Sequence, residues 1–237
     1  MKAIIGGTGV DSLPGITSEK SVIKTPYGDV ELFVGRGKDA FLVFLPRHGS
    51  LHSTPPHLIN YRANISALQQ LGVDEVICIY AVGSVSDSLR PGEVGVLSDF
   101  VDFTGGGRQH TFFTGGEQKV QHVSMDKAFD AELNAKLLQR DRSLKQAGVY
   151  VCTNGPRLET PAEIRFFKTM GFDVVGMTCA TEVALAREAG IKVAALAYSI
   201  NWAAGVGGKD EVAFIDDATI ASLRDAMTIL CVEVLGA

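Results

Sequence analysis

Short apolar runs alternate with longer amphipathic stretches along most of the chain. The runs lack polar alternation, which is typical of strands covered on both faces, and the longer stretches repeat their apolar positions with a helical period. Strands are predicted at 3–5, 41–45, 75–81, 148–152, 173–177 and 191–200. Helices are predicted at 57–72, 126–147, 160–171, 180–190 and 216–235. This order predicts an α/β fold with a central, largely parallel or mixed sheet flanked by helices.

The composition fits one globular domain over residues 1–237, with 46% hydrophobic and 21% charged residues. A net charge of -5 without a basic run argues against a nucleic-acid partner. We expect no membrane partner and a cytoplasmic location, because we find neither a signal segment nor an apolar stretch of bilayer length. The cysteines at 78, 152, 179 and 231 lack metal-binding spacing and are predicted to be reduced core thiols.

A glycine-rich segment, Gly-Gly-Thr-Gly at 6–9, follows the first predicted strand. Glycines let the backbone approach an anion, and the Thr8 hydroxyl can donate a hydrogen bond. The segment lacks the Gly-Lys-Ser/Thr of a P-loop, and Ser12 replaces the last glycine of a dinucleotide-binding motif. Taken alone, it is equally well explained as a glycine turn.

Two further segments favour an anion. Arg47 can donate two hydrogen bonds to a phosphate, and His48 can add another. His52 and His57 also suggest a metal, but the prolines at 55–56 break any helix that would align these histidines. An anion site and a surface turn both remain open for this segment. Thr178 is either a helix N-cap or a phosphate ligand at the positive end of a helix.

Two polar side chains lie in otherwise apolar or glycine-marked stretches and together could bind the edge of a purine. The Glu159 carboxylate accepts hydrogen bonds, whereas the Asn201 carboxamide both donates and accepts them. The segment 80–84 (Tyr-Ala-Val-Gly-Ser) is a strand that runs into small residues and exposes backbone amides, although a tight turn explains it equally well.

In their order along the chain, these motifs resemble the trimeric purine nucleoside phosphorylase and methylthioadenosine phosphorylase family. The resemblance covers residues 3 to about 205 and rests on Gly-Gly-Thr-Gly, Arg-His-Gly, Asn-Tyr-Arg-Ala-Asn, Ala-Val-Gly-Ser, Gly-Pro-Arg-Leu-Glu-Thr, Gly-Met-Thr followed by Glu-Val-Ala-Leu-Ala, and Ser-Ile-Asn. It implies a single α/β domain with a partly barrel-like sheet and a homotrimer with active sites at subunit interfaces. Inorganic phosphate is then a co-substrate, and no metal or organic cofactor is implied.

The resemblance also assigns the site residues. The phosphate site it implies consists of Thr8, Arg47, His48, the amide of Ala81, and Thr178. The sugar and base are expected to contact Val82, Gly83, Leu158, Glu159, Met177 and Asn201. His122 matches a histidine that crosses the subunit interface to the 5′ substituent, and an exposed loop histidine is the alternative.

The expected substrate depends on three positions at which this chain differs from the methylthioadenosine enzymes. Those enzymes have aspartates at the positions of Asn201 and Ala203, and a small polar residue at the position of Glu159. Glu159 and Asn201 instead match enzymes of 6-oxopurines, in which the glutamate accepts N1–H and the asparagine contacts O6 and N7. Adenine lacks the N1 proton, and a buried unpaired acceptor is costly. His122 and the segment 47–64 are closer to the methylthioadenosine branch. The combination resembles the branch that uses S-methyl-5′-thioinosine.

We therefore expect phosphate-dependent cleavage of S-methyl-5′-thioinosine to hypoxanthine and 5-methylthioribose 1-phosphate. Phosphate held by Arg47 and His48 would stabilise an oxocarbenium-like sugar and then attack it, while Asn201 assists departure of the base at N7. The alternatives are a methylthioadenosine or broad purine nucleoside phosphorylase and a nucleoside-binding protein without turnover. A hydrolase is less favoured, because the sequence has no aspartate-rich cluster to activate water.

Overall fold

The structure is a computed structural model that describes residues 1–8, 10, 13–49, 53–116, 119, 121–208 and 211–237. The strands are β1 (Lys2–Gly6), β2 (Ser18–Thr25), β3 (Gly28–Gly35), β4 (Leu42–Pro46), β5 (Glu75–Ser84), β6 (Val94–Asp102), β7 (Lys145–Cys152), β8 (Val174–Gly176) and β9 (Lys192–Trp202). The α-helices are α1 (Tyr61–Gln70), α2 (Ala131–Arg140), α3 (Pro161–Thr169), α4 (Cys179–Glu188) and α5 (Asp217–Leu235).

The strands form one mixed sheet in the order β2-β3-β4-β1-β5-β8-β7-β6-β9. Strand β5 also pairs with β9, so β5, β8, β7, β6 and β9 close into a barrel, and the other four strands extend from it as an open sheet. Strand β5 runs parallel to β1 and β9 but antiparallel to β8. The predicted α/β fold with a mixed, partly barrel-like sheet is confirmed.

Strand β5 shows why its sequence is continuously apolar. Val76 and Cys78 belong to a core cluster that includes residues of α1 and α4, whereas Ile77 and Ile79 belong to a second cluster with residues of α2 and α5. Because successive side chains of a strand point to opposite faces, both faces must be apolar when helices cover both.

The sequence missed one hairpin and one strand. Strands β2 and β3 pair antiparallel at the edge of the sheet. All eight β2 residues are exposed or half-buried, and β3 buries only Val30, Leu32 and Gly35, so neither strand is apolar throughout. Strand β6 was also missed; it ends in exposed or half-buried positions from Ser98 onwards. A strand with one solvated face has too few apolar residues to be recognised by a continuous hydrophobic stretch.

Two predicted helices are longer than the observed ones because side chains cap the real helices internally. The carboxylate of Asp130 accepts the N–H groups of Glu132 and Leu133, which starts α2, and residues 145–147 belong to β7 instead. The Asn60 side chain accepts the N–H of Ala63 and starts α1. Such side-chain hydrogen bonds satisfy the free N–H groups of a first helical turn.

All four cysteines are buried free thiols, as predicted. Burial raises the pKa of each thiol, which keeps the sulfur protonated. Within the described ranges, no helix combines the length and apolar character needed to cross a bilayer. The same residues include no group of three or more His, Cys, Asp or Glu side chains that could hold a metal ion.

Candidate active site

A cavity of about 270 Å³ opens where the carboxyl ends of β1, β4, β5, β8 and β9 meet. This is the usual place for a ligand in an α/β sheet. Its walls contain every site residue predicted from the sequence except one: Thr8, Arg47, His48, Ala81, Val82, Gly83, Leu158, Glu159, Met177, Thr178 and Asn201. The exception is His122. The chain therefore brings together residues that are as much as 193 positions apart, as Thr8 and Asn201 are.

Arg47 is held by a buried carboxylate below the cavity. Its Nε and one terminal nitrogen donate to the two oxygens of Glu182 over 2.8 and 2.7 Å, and the other terminal nitrogen donates to the Ile79 carbonyl over 3.0 Å. Tyr80 donates its hydroxyl to Glu182 over 2.8 Å, and its ring lies 4.5 Å from the guanidinium carbon. Burial alone would lower the pKa of Arg47, but the Glu182 carboxylate raises it above its ordinary value.

This arrangement changes the predicted role of Arg47. The fork of the guanidinium that was expected to bind phosphate is engaged by Glu182, and both side chains are only 1% exposed. One N–H on each terminal nitrogen remains, since a guanidinium has five N–H groups and three are used. Arg47 can therefore offer an anion only these two N–H groups, and not the side-on pair formed by Nε and a terminal nitrogen. Glu182, the first residue of the Glu-Val-Ala-Leu-Ala motif, fixes the position of Arg47.

Gly7 is required by the close approach of Arg47. A Cβ atom at position 7 would lie 2.3 Å from the Arg47 terminal nitrogen and 3.0 Å from the Ile79 carbonyl oxygen. Any larger residue would displace the guanidinium from the Ile79 carbonyl. The glycine-rich segment thus lets the backbone pass close to a buried cation, which is a packing role in addition to any contact with an anion.

The other anion-binding candidates surround the same part of the cavity. The Nδ1 of His48 lies 2.8 Å from the Thr54 carbonyl; a carbonyl only accepts, so Nδ1 carries the proton. Thr178 occupies the N-cap position of α4, but its hydroxyl makes no capping hydrogen bond and lies in the cavity wall. The positive end of the α4 dipole favours an anion at this point.

The backbone amide of Ala81 faces the same edge of β5 as the Ile79 carbonyl, because groups two residues apart on a strand point to one side. Strand β1 pairs with β5 only as far as Cys78, so this edge is not covered by β1 beyond that residue. The Ile79 carbonyl uses the open edge to accept from Arg47. The Ala81 amide is thereby directed toward the anion end of the cavity.

Asn201 reaches the cavity through an irregularity in the sheet. The register of β5 and β9 shifts between Val82 and Gly83, so that Val82 pairs with Ser199 and Gly83 pairs with Asn201. The extra residue is Ile200, and both Ile200 and Asn201 line the cavity, whereas a regular strand would point them to opposite faces.

The carboxamide of Asn201 is oriented by a backbone carbonyl and occupies the space beside Gly83. Its Nδ2 donates to the Trp202 carbonyl over 2.8 Å and lies 3.2 Å from where a Cβ of Gly83 would be. Gly83 therefore provides the space for the amide. The remaining N–H and the Oδ1 of Asn201 give one donor and one acceptor for a ligand.

Glu159 lines the cavity from the segment between β7 and α3. It is half-buried, and its Oε1 accepts a hydrogen bond of 2.6 Å from the Thr153 hydroxyl. Leu158 beside it is 43% exposed at the cavity wall. The segment is anchored at α3, where Thr160 and Glu163 form a capping box.

Met177 is held in the wall by Arg108, a residue that the sequence analysis did not single out. Arg108 is buried and donates to the Met177 carbonyl over 2.6 Å and to the side-chain and backbone oxygens of Asn154 over 3.0 and 2.7 Å. It thereby joins the ends of β7 and β8. A lone arginine after Gly-Gly-Gly has no sequence pattern that would reveal this role.

Apolar residues of the cavity were also partly missed. Val212 and Phe214 line it, and Phe214 is 56% exposed. Trp202 and Val206, from the same part of the chain, line a separate, smaller cavity. His122 is exposed and lies outside the cavity wall. Gly9, Ser12 and His52 fall outside the described residues.

The barrel with this cavity at its carboxyl edge defines a class of enzyme. Residues 2–235 match the family described as the Phosphorylase superfamily, and the chain belongs to that family. The family predicted from the motifs is confirmed, and with it an enzyme of the nucleoside phosphorylase type.

Relatives with specific names lie within this family. The chain is 44% identical over 216 residues to the 6-oxopurine nucleoside phosphorylase of Pyrococcus furiosus, covering 87% of this chain and 81% of the relative. It is 42% identical over 233 residues to a probable S-methyl-5′-thioinosine phosphorylase of Pseudomonas syringae pv. tomato, covering 95% and 93%. The methylthioadenosine phosphorylase of Schistosoma mansoni in complex with adenine has a TM-score of 0.86 at 30% identity, covering 99% of this chain and 89% of that one.

Proposed function

We propose that the protein cleaves the N-glycosidic bond of 6-oxopurine nucleosides with inorganic phosphate, and that S-methyl-5′-thioinosine is its preferred substrate. The products are hypoxanthine and 5-methylthioribose 1-phosphate. The observation that carries the proposal is one cavity whose wall contains both Glu159 and Asn201 and the set Thr8, His48 and Thr178. These two groups suit a purine edge and a phosphate respectively.

The phosphate end suits a dianion that must also react. Hydroxyls of Thr8 and Thr178, the Ala81 amide and single N–H groups of Arg47 are its proposed donors, and His48 would donate through Nε2, since its Nδ1 proton is used by the Thr54 carbonyl. Phosphate held there lies beside C1′ of the nucleoside and stabilises the oxocarbenium-like sugar by its charge. Glu182 neutralises the charge of Arg47, so Arg47 would contribute hydrogen bonds rather than net charge to the phosphate site.

The reaction needs no covalent enzyme intermediate. The C1′–N9 bond breaks with its electron pair moving to the purine, and a phosphate oxygen forms the new bond to C1′. The proton of hydrogen phosphate is balanced by the proton that the free base gains. Asn201 accepts N7–H through its Oδ1, because Nδ2 is already oriented by the Trp202 carbonyl, and the remaining N–H donates to O6.

Base selection follows from the acceptor character of Glu159. A 6-oxopurine presents N1–H to a carboxylate, whereas adenine presents a lone pair at N1. An acceptor facing a lone pair leaves both groups unpaired, and sites built to pair a polar group discriminate by roughly 10⁴ against an analogue that lacks it. The name of the Pyrococcus furiosus relative supports this preference.

The 5′ preference rests on the apolar side of the cavity. Val212 and Phe214 line it, and a methylthio group gains from contact with apolar carbon where a hydroxyl would lose hydration. The Pseudomonas syringae relative supports a methylthio substrate, while the Pyrococcus furiosus relative at similar identity does not distinguish the two.

The assembly proposed is a homotrimer in which His122 of one chain reaches the 5′ end of a neighbour's cavity. His122 is exposed and does not line the cavity of its own chain, and exposed apolar side chains at Phe103, Leu158 and Phe166 are available for an interface. Sedimentation equilibrium should give the trimer mass, and a monomer that is fully active would contradict this role of His122. A metal-free, cofactor-free reaction and a cytoplasmic location stay predictions.

Steady-state phosphorolysis of S-methyl-5′-thioinosine, S-methyl-5′-thioadenosine and inosine tests the proposal. We expect kcat/KM to rank methylthioinosine first, and base release to depend on added phosphate. A preference for methylthioadenosine would contradict the roles of Glu159 and Asn201, and equal rates with inosine would contradict the 5′ preference. Base release without phosphate would indicate a hydrolase, and binding without release a nucleoside-binding protein.

Asn201→Asp provides the matched test of base selection. The substitution preserves shape but removes the donor for O6, so the ratio of kcat/KM between methylthioinosine and methylthioadenosine should fall. Asn201→Ala is the control that removes both donor and acceptor and should lower both values. An unchanged ratio in Asn201→Asp would place base selection elsewhere in the cavity.

A further inference from the structure

Thr153 lies directly after β7 and contacts the Glu159 carboxylate. Its hydroxyl lies 2.6 Å from Oε1 of Glu159 and 3.4 Å from the carbonyl oxygen of Gly176. A hydroxyl donates one hydrogen, and the shorter distance lies in the range of hydrogen bonds from a hydroxyl to a carboxylate. The hydroxyl of Thr153 therefore donates to Glu159.

The position of Thr153 is set by the barrel. Its backbone N–H donates to the Gly176 carbonyl over 2.8 Å, which continues the pairing of β7 with β8 by one residue. Arg108 donates to the neighbouring Asn154 carbonyl over 2.7 Å and contacts the Thr153 carbonyl over 3.4 Å. The hydroxyl is thus presented by a rigid element.

Glu159 is held less firmly than Thr153. It is half-buried in a segment outside the helices and strands, and the Thr153 hydroxyl is the donor recorded for its carboxylate among the described residues. A glutamate side chain has several rotatable bonds, so a free carboxylate must lose rotamer freedom when it binds a base. A carboxylate already held in one orientation has less freedom to lose.

We propose that Thr153 is a positioning residue for base recognition, and that its hydrogen bond to Glu159 determines how strongly the enzyme prefers 6-oxopurines. The hydroxyl engages Oε1 and leaves the other carboxylate oxygen as the acceptor for N1–H. This inference rests on the proposed function, since it assigns to Glu159 the contact with N1. Thr153 itself does not line the cavity and would act only through Glu159.

Thr153→Val and Thr153→Ser form a matched pair, because valine preserves the shape without the hydroxyl and serine retains it. In Thr153→Val we expect kcat/KM for methylthioinosine to fall about tenfold, the value for a hydrogen bond to a charged group. The loss should lie mainly in the nucleoside KM, and the phosphate KM should stay at the wild-type value. Thr153→Ser should restore most of the loss.

A double-mutant cycle with Glu159→Gln distinguishes positioning from general loosening of the fold. If Thr153 acts through the carboxylate, Thr153→Val has little further effect on the ratio of methylthioinosine to methylthioadenosine kcat/KM in the Glu159→Gln background. An equal loss in both backgrounds would overturn the proposal. So would a Thr153→Val enzyme with wild-type nucleoside KM, or one whose phosphate KM rises by the same factor.

The wild-type substrate panel keeps failure of this inference separate from failure of the proposed function. If the wild type prefers methylthioadenosine, the proposed base contact is wrong and the inference falls with it. If the wild type prefers methylthioinosine while Thr153→Val leaves the preference intact, the function stands and the role of Thr153 alone is refuted.

Discussion

Replacing Glu182 by glutamine should destabilise the protein by about 3 kcal/mol. The change removes the charge opposite Arg47 while preserving the size of the side chain. Both partners are 1% exposed, so the Arg47 guanidinium would be left as a buried charge without its counter-ion. Removing one partner of a buried pair typically costs about 3–5 kcal/mol.

The lower end of that range follows from the contacts that survive. Arg47 keeps its 3.0 Å hydrogen bond to the Ile79 carbonyl and the Tyr80 ring 4.5 Å away. The glutamine oxygen can still accept one of the two hydrogen bonds now made at 2.8 and 2.7 Å. One charge-assisted hydrogen bond and the ion-pair attraction are lost.

Urea unfolding at one fixed protomer concentration measures the effect, since association of copies makes apparent stability concentration-dependent. Glu132→Gln is the control, because it makes the same chemical change at an exposed helical ion pair with Lys136 and should alter stability by no more than about 0.5 kcal/mol. The double variant Arg47→Met/Glu182→Leu should recover most of the lost stability, since an apolar pair needs no counter-ion.

The double variant also separates folding from function. It should fold but show a higher phosphate KM, because it lacks the Arg47 N–H groups. A Glu182→Gln protein within about 0.5 kcal/mol of the wild type would refute the reasoning about the buried pair. A double variant no more stable than the single one would show that packing, not the uncompensated charge, dominates.

Three further outcomes are expected. Gly83→Ala places a Cβ 3.2 Å from the Asn201 amide nitrogen. Steady-state kinetics should show a nucleoside KM about tenfold higher and an unchanged phosphate KM. A nucleoside KM equal to that of the wild type would mean that the amide tolerates the added methyl group. His48→Gln should raise the phosphate KM about tenfold and leave the nucleoside KM near wild type; a change confined to the nucleoside would reject its place at the anion end. The hydrogen bond from Arg157 lowers the pKa of Glu163 from 4.5 to about 2, so the stabilising contribution of Glu163 is full above pH 4.5 and is lost as the pH falls toward 2. The free energy of unfolding of Glu163→Gln should be lower than that of the wild type at pH 7 and approach it near pH 2. A difference that does not change with pH would contradict this.

The sequence identified the doubly covered strands and all five α-helices of the described residues, because continuous apolar runs and helical periodicity are local properties. It failed for the β2–β3 hairpin and for β6, which are wholly or partly solvated and so are not apolar along their length. The helix predicted at 126–147 also extends beyond both ends of α2, because the periodic apolar pattern continues past the Asp130 cap at which the helix begins.

Of the candidate site, the ordered motifs identified residues that the structure collects in one cavity. They did not reveal that Arg47 is paired with Glu182, which lies 135 positions away. Nor did they reveal Arg108, whose partner Met177 is brought close by the barrel. Hydrogen bonds between such distant residues leave no periodic or spacing signal. Thr153 was also missed, because its contact with Glu159, six residues away, depends on the conformation of the loop between them.

The sequence by itself thus determined the family, the α/β architecture and the chemical types of side chain that a purine and a phosphate would meet. Only the tertiary structure decided how those side chains are presented. The register shift between β5 and β9 turns Asn201 into the cavity beside Gly83, and the pairing of β4, β1 and β5 brings Arg47 to the Ile79 carbonyl. Both depend on strand register, which is fixed by packing and pairing across the whole sheet rather than by neighbouring residues.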